Sequence, residues 1–290
     1  MSKVKVTEKN FRHFGSWALI TGAAGGMGQL YAGHFARLGF NLVLVDIDAA
    51  GLARVAESVK AEIAALDDWR AADKESFKVL ELVQDLSLAD AADSIVERTD
   101  AAGIEVELLV NNAGILYATG IVDTPERRLS LMLALHCTTP LLLCRKYVPR
   151  MRARGRGYVL NVSSLAAWMP WPCIGMYSST KRFVKDYSRS MRIELRGSGV
   201  SVTCAYFGAV DTPLIPLAPN LRKIAHGLGV MIWPERAVES AVNAVMKRRR
   251  GTMPGFINHL AKIFCPLFGE RFLAWVYRRY GLILDVVFHF

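Results

Sequence analysis

"WALITGAAGGMG", residues 17–28, sets five apolar or β-branched residues directly against a turn that holds four glycines. Beyond it, "GQLYAGHFARLG" (28–39) repeats apolar residues at intervals of three and four, and "NLVLVD" (41–46) is a second short apolar run. Strand, tight turn, helix and strand in that order make a βαβ unit, in which the two strands are parallel because only a crossover helix joins them.

The alternation continues outward. Further strand candidates are "KVLELVQD" (78–85), "ELLVNN" (107–112), "GYVLNVSS" (157–164) and "SVTCAYF" (201–207), with amphipathic stretches such as "AAGLARVAESVKAEIAAL" (49–66) between them. Near-continuous Val, Leu and Ile runs are those of strands buried on both faces. The expected fold is α/β, a doubly wound three-layer sandwich around a central parallel sheet. No long linker, repeat or low-complexity tract divides it, so residues 1–250 are expected to form one domain and 251–290 a C-terminal extension.

The totals narrow the class. Hydrophobic residues make up 52% and charged residues 21%, a globular composition. Cys137, Cys144, Cys173, Cys204 and Cys265 are odd in number and scattered, without metal-ligand spacing, which suits buried thiols in a reducing compartment and no metal site. The N-terminal "MSKVKVTEKNFRHFGSW" contains no apolar run of a signal peptide, and no stretch is apolar enough to span a bilayer. Of the net charge of +10, the segment from Lys247 onward carries +6. The positive charge therefore belongs mainly to the tail, which argues against a nucleic-acid-binding module.

In the first turn, Gly22, Gly26 and Gly28 let the backbone turn tightly and approach a pyrophosphate, while the N-terminus of the next helix offers unpaired N–H groups. Asp46 ends the second strand, eighteen residues beyond Gly28. A carboxylate there accepts hydrogen bonds from ribose hydroxyls and repels a 2′-phosphate, so NAD(H) is favoured with NADP(H) as the alternative. Asp48 competes for that role. "MYSSTK" (176–181) puts Tyr177 and Lys181 one helical turn apart. A neighbouring ammonium favours the ionised phenol, which would make a tuned proton donor, although the same spacing also occurs by coincidence on surfaces.

"TGAAGGMG" (21–28), "NNAG" (111–114), Ser164 thirteen residues before the tyrosine, and "YSSTK" (177–181) together resemble the classical short-chain dehydrogenase/reductase family over about residues 14–250. The flavour is that of hydroxysteroid dehydrogenases and long-chain 3-oxoacyl reductases. The resemblance implies a Rossmann-type fold and an oxidoreductase acting on CH–OH groups. It assigns proton transfer to Tyr177, a lowering of the tyrosine pKa and ribose binding to Lys181, and the hold on the substrate oxygen to Ser164 rather than Ser163. It also implies cofactor contacts from Met27, Asp85, Asn112 and Gly114, with Asn111 tying strands together. From "FGAVDT" (207–212) it implies contacts by Gly208, Val210 and Thr212.

Two positions depart from the family pattern. Phe207 stands where proline is usual. His136 stands where many members have an asparagine that holds a relay water; as a titratable group it is a candidate proton relay, with an inert packed histidine as the other reading.

The segment 213–233 falls at the family's substrate lid, and Trp168, Met169, Trp171 and Met176 flank the catalytic positions. Apolar, aromatic linings suit a bulky hydroxysteroid or long-chain keto lipid. The tail "FINHLAKIFCPLFGERFLAWVYRRYGLILDVVFHF" intersperses apolar residues with Lys262, Arg271, Arg278 and Arg279, as an interfacial helix pair does on an anionic membrane. The alternative is a subunit-packing extension. The resulting expectation is a cytoplasmic homodimer or homotetramer with peripheral contact at the cytoplasmic membrane face. A rival reading is a dinucleotide-binding scaffold or redox sensor with little turnover, against which the intact Ser164, Tyr177 and Lys181 speak.

Overall fold

Alternation within each apolar run divides its side chains between two cores. In a computed structural model, which describes residues 13–67, 69, 71–215 and 218–288 with side chains of the last helix up to Arg279, Asn41–Asp46 forms strand β2. Its Leu42 and Leu44 point into one hydrophobic cluster, and Val43 and Val45 into the other. Successive side chains on a strand face opposite ways, so a run that is apolar at every position must be covered on both sides. Strand β1 (Trp17–Thr21) divides likewise, Ala18 and Ile20 against Leu19.

The other strands are β3 (Val79–Val83), β4 (Val106–Asn111), β5 (Gly157–Ser164), β6 (Val200–Phe207), the short pair β7 (Ala209–Val210) and β8 (Met231–Ile232), and β9 (Gly251–Thr252). Seven of them form one sheet in the order β3-β2-β1-β4-β5-β6-β9, every pair parallel. All six strands expected from the sequence are present in it. Because β9 follows residue 250, the parallel layer continues past the boundary expected for the domain.

Helices α1 (Gly26–Arg37), α2 (Ala49–Ala64) and, late in the chain, α9 (Pro234–Met246) cover one face; Tyr31, Phe35, Leu52 and Val242 pack there. On the opposite face lie α4 (Ala91–Ala101), α6 (Thr139–Ala153) and α7 (Gly175–Glu194), through Ile95, Leu143, Tyr147 and Met191. The remaining helices are α3 (Ala71–Ser76), α5 (Glu126–Leu133), α8 (Pro219–Gly227), α10 (Phe256–Phe264) and α11 (Glu270–Phe288). Residues 1–12, 216–217 of the expected lid and 289–290 of the expected extension lie outside the described residues.

Strand order reverses between β1 and β4, and a crevice opens at the carboxyl ends of strands where neighbouring connections leave in opposite directions. A cavity of about 1210 Å³ lies there, lined by the turns after β1 and β4.

Candidate active site

Three kinds of backbone feature build the cavity's first wall. Gly22 takes a φ of +65°, and a Cβ on it would come within 2.9 Å of Ala113 Cα. At Gly28 a Cβ would lie 1.9 Å from the carbonyl oxygen of Gly22, so only glycine lets α1 begin so close to the strand end. The helix starts from Gly25 without a side-chain cap and without an acidic residue in its first turn, leaving its N–H groups open to an anion. Gly26 and Met27 also line the cavity.

Asp46 and Asp48 separate clearly. Asp46 lines the cavity and accepts from the backbone N–H of Ala24 at 3.0 Å and of Asp48 at 3.1 Å. Asp48 caps α2, accepting from the N–H of Gly51 at 2.9 Å. Asp85 lines the cavity and closes its own turn, with Oδ1 accepting from the N–H and hydroxyl of Ser87 at 2.8 and 2.7 Å. Asn111 donates to Asn161 Oδ1 at 2.8 Å across the β4–β5 pair. Asn112 donates to the carbonyls of Thr21 and Gly22, while its buried Oδ1 has no partner. An acceptor left unmatched in a crevice whose opposite wall is an open helix N-terminus fits a dinucleotide carrying ribose hydroxyls and a pyrophosphate.

The second wall carries the polar cluster. Ser164 Oγ donates to the carbonyl of Phe207 at 3.2 Å and accepts from the N–H of Ala166 at 3.1 Å, and its hydroxyl lies close enough to the Tyr177 phenol to lower that phenol's pKa. Ser163 Oγ instead donates to the carbonyl of Lys181 at 2.7 Å, so its hydroxyl is committed to α7. Lys181 Nζ donates to the carbonyl of Val162 at 3.1 Å and lies 5.6 Å from the centre of the Tyr177 ring.

Burial raises the Tyr177 pKa, and the Ser164 hydrogen bond only partly offsets this. That direction is opposite to the lowering by Lys181 expected from the resemblance. A phenolate out of water loses more solvation than an ammonium turned to Val162 returns. Burial likewise pushes Lys181 down, to about 8.

His136 sits in a single π turn, Ala134–Thr138, between α5 and α6. Pro140 follows, offering no N–H to the carbonyl of His136, and a proline ring clashes with the carbonyl four residues back, so the helix widens. The imidazole is 1% exposed. Its Nε2 accepts from the N–H of Ile115 at 3.0 Å, which fixes the proton on Nδ1, 2.8 Å from Thr180 Oγ1. Thr180 in turn donates to the carbonyl of Tyr177 at 2.8 Å. Burial, with Lys181 adding to it, holds the histidine pKa well below its ordinary value. Both ring nitrogens are spent on the protein, so the relay expected of His136 has no open lone pair; the geometry is that of a positioning residue. Gly114 makes room for it, since a Cβ there would meet Nε2 at 2.9 Å.

Phe207 is buried, lines the cavity and pairs with Ser164 at the end of the β5–β6 ladder. Gly208, Val210 and Thr212 follow it along the cavity wall. Of the four large residues expected to line the substrate region, Trp171 does so, with its buried indole N–H unpartnered. Trp168 instead packs edge-on against Tyr206 at 4.6 Å, and Met169 is buried.

Other features carried no local signal in the sequence. Ile257, Asn258 and Ala261 of α10 complete the cavity wall, so part of the expected extension belongs to the site. The Asn258 side chain fills the space over Gly208, where a Cβ would lie 2.3 Å from Oδ1. In the lid segment, Leu214, Ile215 and Val230 line the cavity, while Arg222 and His226 of α8 grip the Asp211 carboxylate at 3.1 and 2.9 Å.

The model of the short chain dehydrogenase family matches residues 16–219, from β1 into α8. The chain belongs to this family. A very-long-chain 3-oxoacyl-CoA reductase of Aspergillus clavatus is 32% identical over 196 residues, 67% of this chain and 53% of that protein. The 17-beta-hydroxysteroid dehydrogenase type 3 of Mus musculus is 30% identical over 215 residues, 72% of this chain and 65% of its own length. The chain thus spans between half and two thirds of these relatives. Among solved structures, a short-chain dehydrogenase from Sphingobium yanoikuyae in complex with NADPH superposes with a TM-score of 0.70 at 26% identity, covering 93% of this chain and 96% of the other.

Proposed function

We propose that this short-chain dehydrogenase interconverts a secondary alcohol and a ketone on a bulky hydrophobic substrate, a hydroxysteroid or long-chain keto lipid, with NAD(H). The observation that carries the reading is the Ser164–Tyr177 hydroxyl pair at the border between the dinucleotide crevice and an apolar wall that includes Leu131, Trp171, Ile174, Leu214 and Ile257. The names of the two relatives support the substrate class.

The chemistry supplied by NAD(H) at this site would be hydride exchange with the substrate carbon. In the reductive direction negative charge gathers on the substrate oxygen, and the Ser164 hydroxyl, turning from the Phe207 carbonyl to which it donates over a long 3.2 Å, stabilises it by donating a hydrogen bond. Tyr177, kept protonated at neutral pH by burial, donates the proton; in oxidation it takes it back. Gly22, Gly26, Met27 and Gly28 would hold the pyrophosphate, Asp46 and Asp85 the adenosine end, Asn112 and Lys181 the ribose hydroxyls, and Gly208, Val210 and Thr212 the carboxamide. Asp46 supports NAD(H) over NADP(H), because a 2′-phosphate would face its carboxylate. The exposed Leu141, Phe183 and Ile193 of α6 and α7 support assembly into a homodimer or homotetramer through those helices. The protein is expected at the cytoplasmic face of a membrane, held peripherally.

Titrating NADH and NADPH, then following the nicotinamide absorbance across a panel of keto steroids and long-chain keto lipids, tests this. Turnover with NADH that vanishes in Tyr177→Phe while NADH still binds is the expected result. Binding without turnover on any substrate would favour the sensor reading instead.

A further inference from the structure

Helix α10 is a wall one helix thick. Ile257, Asn258 and Ala261 face the cavity, whereas Phe256, Leu260, Ile263 and Phe264 are exposed on the outside. These four, with Leu267 in the next turn, recur at intervals of three and four, which is a single stripe along the helix. Phe256 is 76% exposed and Leu267 73%. The stripe runs on into Phe268, Phe272 and Trp275, whose rings follow one another at 4.9 and 6.0 Å. From Glu270 to Arg279 every side chain except Leu273 and Val276 is exposed.

The lid borders the same mouth. A Cβ on Gly229 would stand 3.7 Å from Ile257 Cδ1, and Ile224, Leu228 and Trp233 of that segment are more than half exposed. An apolar surface of this extent, continuous with the entrance of an apolar cavity, requires an occupant.

Charge identifies it. Arg271, Arg278 and Arg279 stand exposed among the apolar residues of 256–279 against the single acid Glu270, and Lys223 is exposed on the lid; Lys262 is half-buried, with its ammonium 5.2 Å over the Trp168 ring. The basic run Lys247–Arg250 plays no part: Arg248 donates to the carbonyl of Gly199, just before β6, so the run lies at the opposite end of the sheet from the cavity. A second copy of the chain seated on this face would bring like charges together, whereas an anionic lipid surface accepts cations at its headgroups and apolar side chains below them. Among the described residues no helix is long and apolar enough to cross a membrane.

We infer that the outer stripe of α10 and α11 and the exposed side of the lid dock on an anionic lipid surface, which places the cavity mouth against the bilayer. This rests on the reading of the protein as an oxidoreductase of hydrophobic substrates. An apolar substrate then enters from the lipid without crossing water.

The test is flotation of the whole protein with vesicles of phosphatidylcholine alone and of phosphatidylcholine mixed with phosphatidylserine. Binding is expected on the mixed vesicles only, and reversal by salt is expected. Replacing Arg271, Arg278 and Arg279 by Gln should weaken it by about fivefold per charge. A second variant, Phe256→Ser with Ile263→Ser and Leu267→Ser, should also release the protein, with its melting temperature kept because those side chains are exposed. No flotation of the wild type on mixed vesicles would overturn the proposal. So would a serine variant that still floats but turns from dimer to monomer in light scattering, since a second copy would then own the face. Turnover of a detergent-dispersed ketone is measured in parallel. If turnover persists without flotation, the docking face falls and the oxidoreductase reading stands; flotation without any turnover reverses that outcome.

Discussion

Replacing His136 by asparagine isolates what the imidazole does. In the folded protein burial and Lys181 keep it neutral, whereas in the unfolded chain it titrates at its ordinary value of 6.5. Below 6.5 the unfolded state therefore binds one more proton than the native state, so stability rises with pH in that window and falls as the solution is acidified. One proton of difference is worth roughly 1 kcal/mol per pH unit. Unfolding free energies from urea titrations at about pH 7.5 and about pH 5.5 should differ by roughly 1 kcal/mol more in the wild type than in His136→Asn. Glu107 does not interfere: burial raises its pKa, but His13, Ser16 and Arg156 bring it below the ordinary carboxylate value, beneath the window. At about pH 7.5 the variant is also expected to be roughly 1 kcal/mol less stable, because the shorter amide reaches Ile115 N–H or Thr180 but not both, and that gap should narrow on acidification. Parallel pH curves would refute the argument. They would mean that the folded imidazole takes up a proton as readily as the unfolded one, that Nε2 is not a committed acceptor, and that the relay is open.

Three further outcomes follow from the geometry. Gly28→Ala should abolish NADH binding by fluorescence titration and destabilise by about 1–3 kcal/mol, since its Cβ has 1.9 Å to the Gly22 carbonyl. Ser164→Ala should lower kcat by about 10²–10³ with the NADH dissociation constant unchanged, because it removes one donor to the developing oxyanion. Asp211→Asn loosens the grip on Arg222 and His226, and limited proteolysis of the lid should accelerate several-fold; unchanged cleavage would mean the apolar contacts alone hold α8 down.

The sheet was legible because a strand covered on both faces has no polar side to hide it, and "NLVLVD" can be little else. Tyr177 and Lys181 were legible for another reason, since four residues on a helix are one turn in space, whereas Ser164, on the end of β5, entered only through the family resemblance. Legibility ended where partners are far apart in sequence. The lock between His136, Ile115 and Thr180 joins three segments, and no local pattern announces that both imidazole nitrogens are taken. The environment of Tyr177 was hidden for a similar reason. Its neighbour Lys181 is visible in the sequence, but the burial that raises its pKa is a property of the assembled walls.

The tail marks the same boundary most sharply. As a string of residues past a basic run, α10 has the composition of an appendage, yet Asn258 is 2% exposed, donates to the carbonyl of Pro254 at 2.6 Å and occupies the space over Gly208. Gly208 is thus a glycine for the tail's sake as much as for a cofactor's. Ending the chain after Gly255 would strip the outer stripe and at the same time open the wall beside the Ser164–Phe207 pair. Such a truncation should lose turnover even on a detergent-dispersed ketone, and so cannot separate docking from catalysis. Exchanging only the exposed side chains can, because the inner face of α10 is left in place; a truncated chain that kept full turnover would show that the wall is dispensable and that α10 serves its outer face alone.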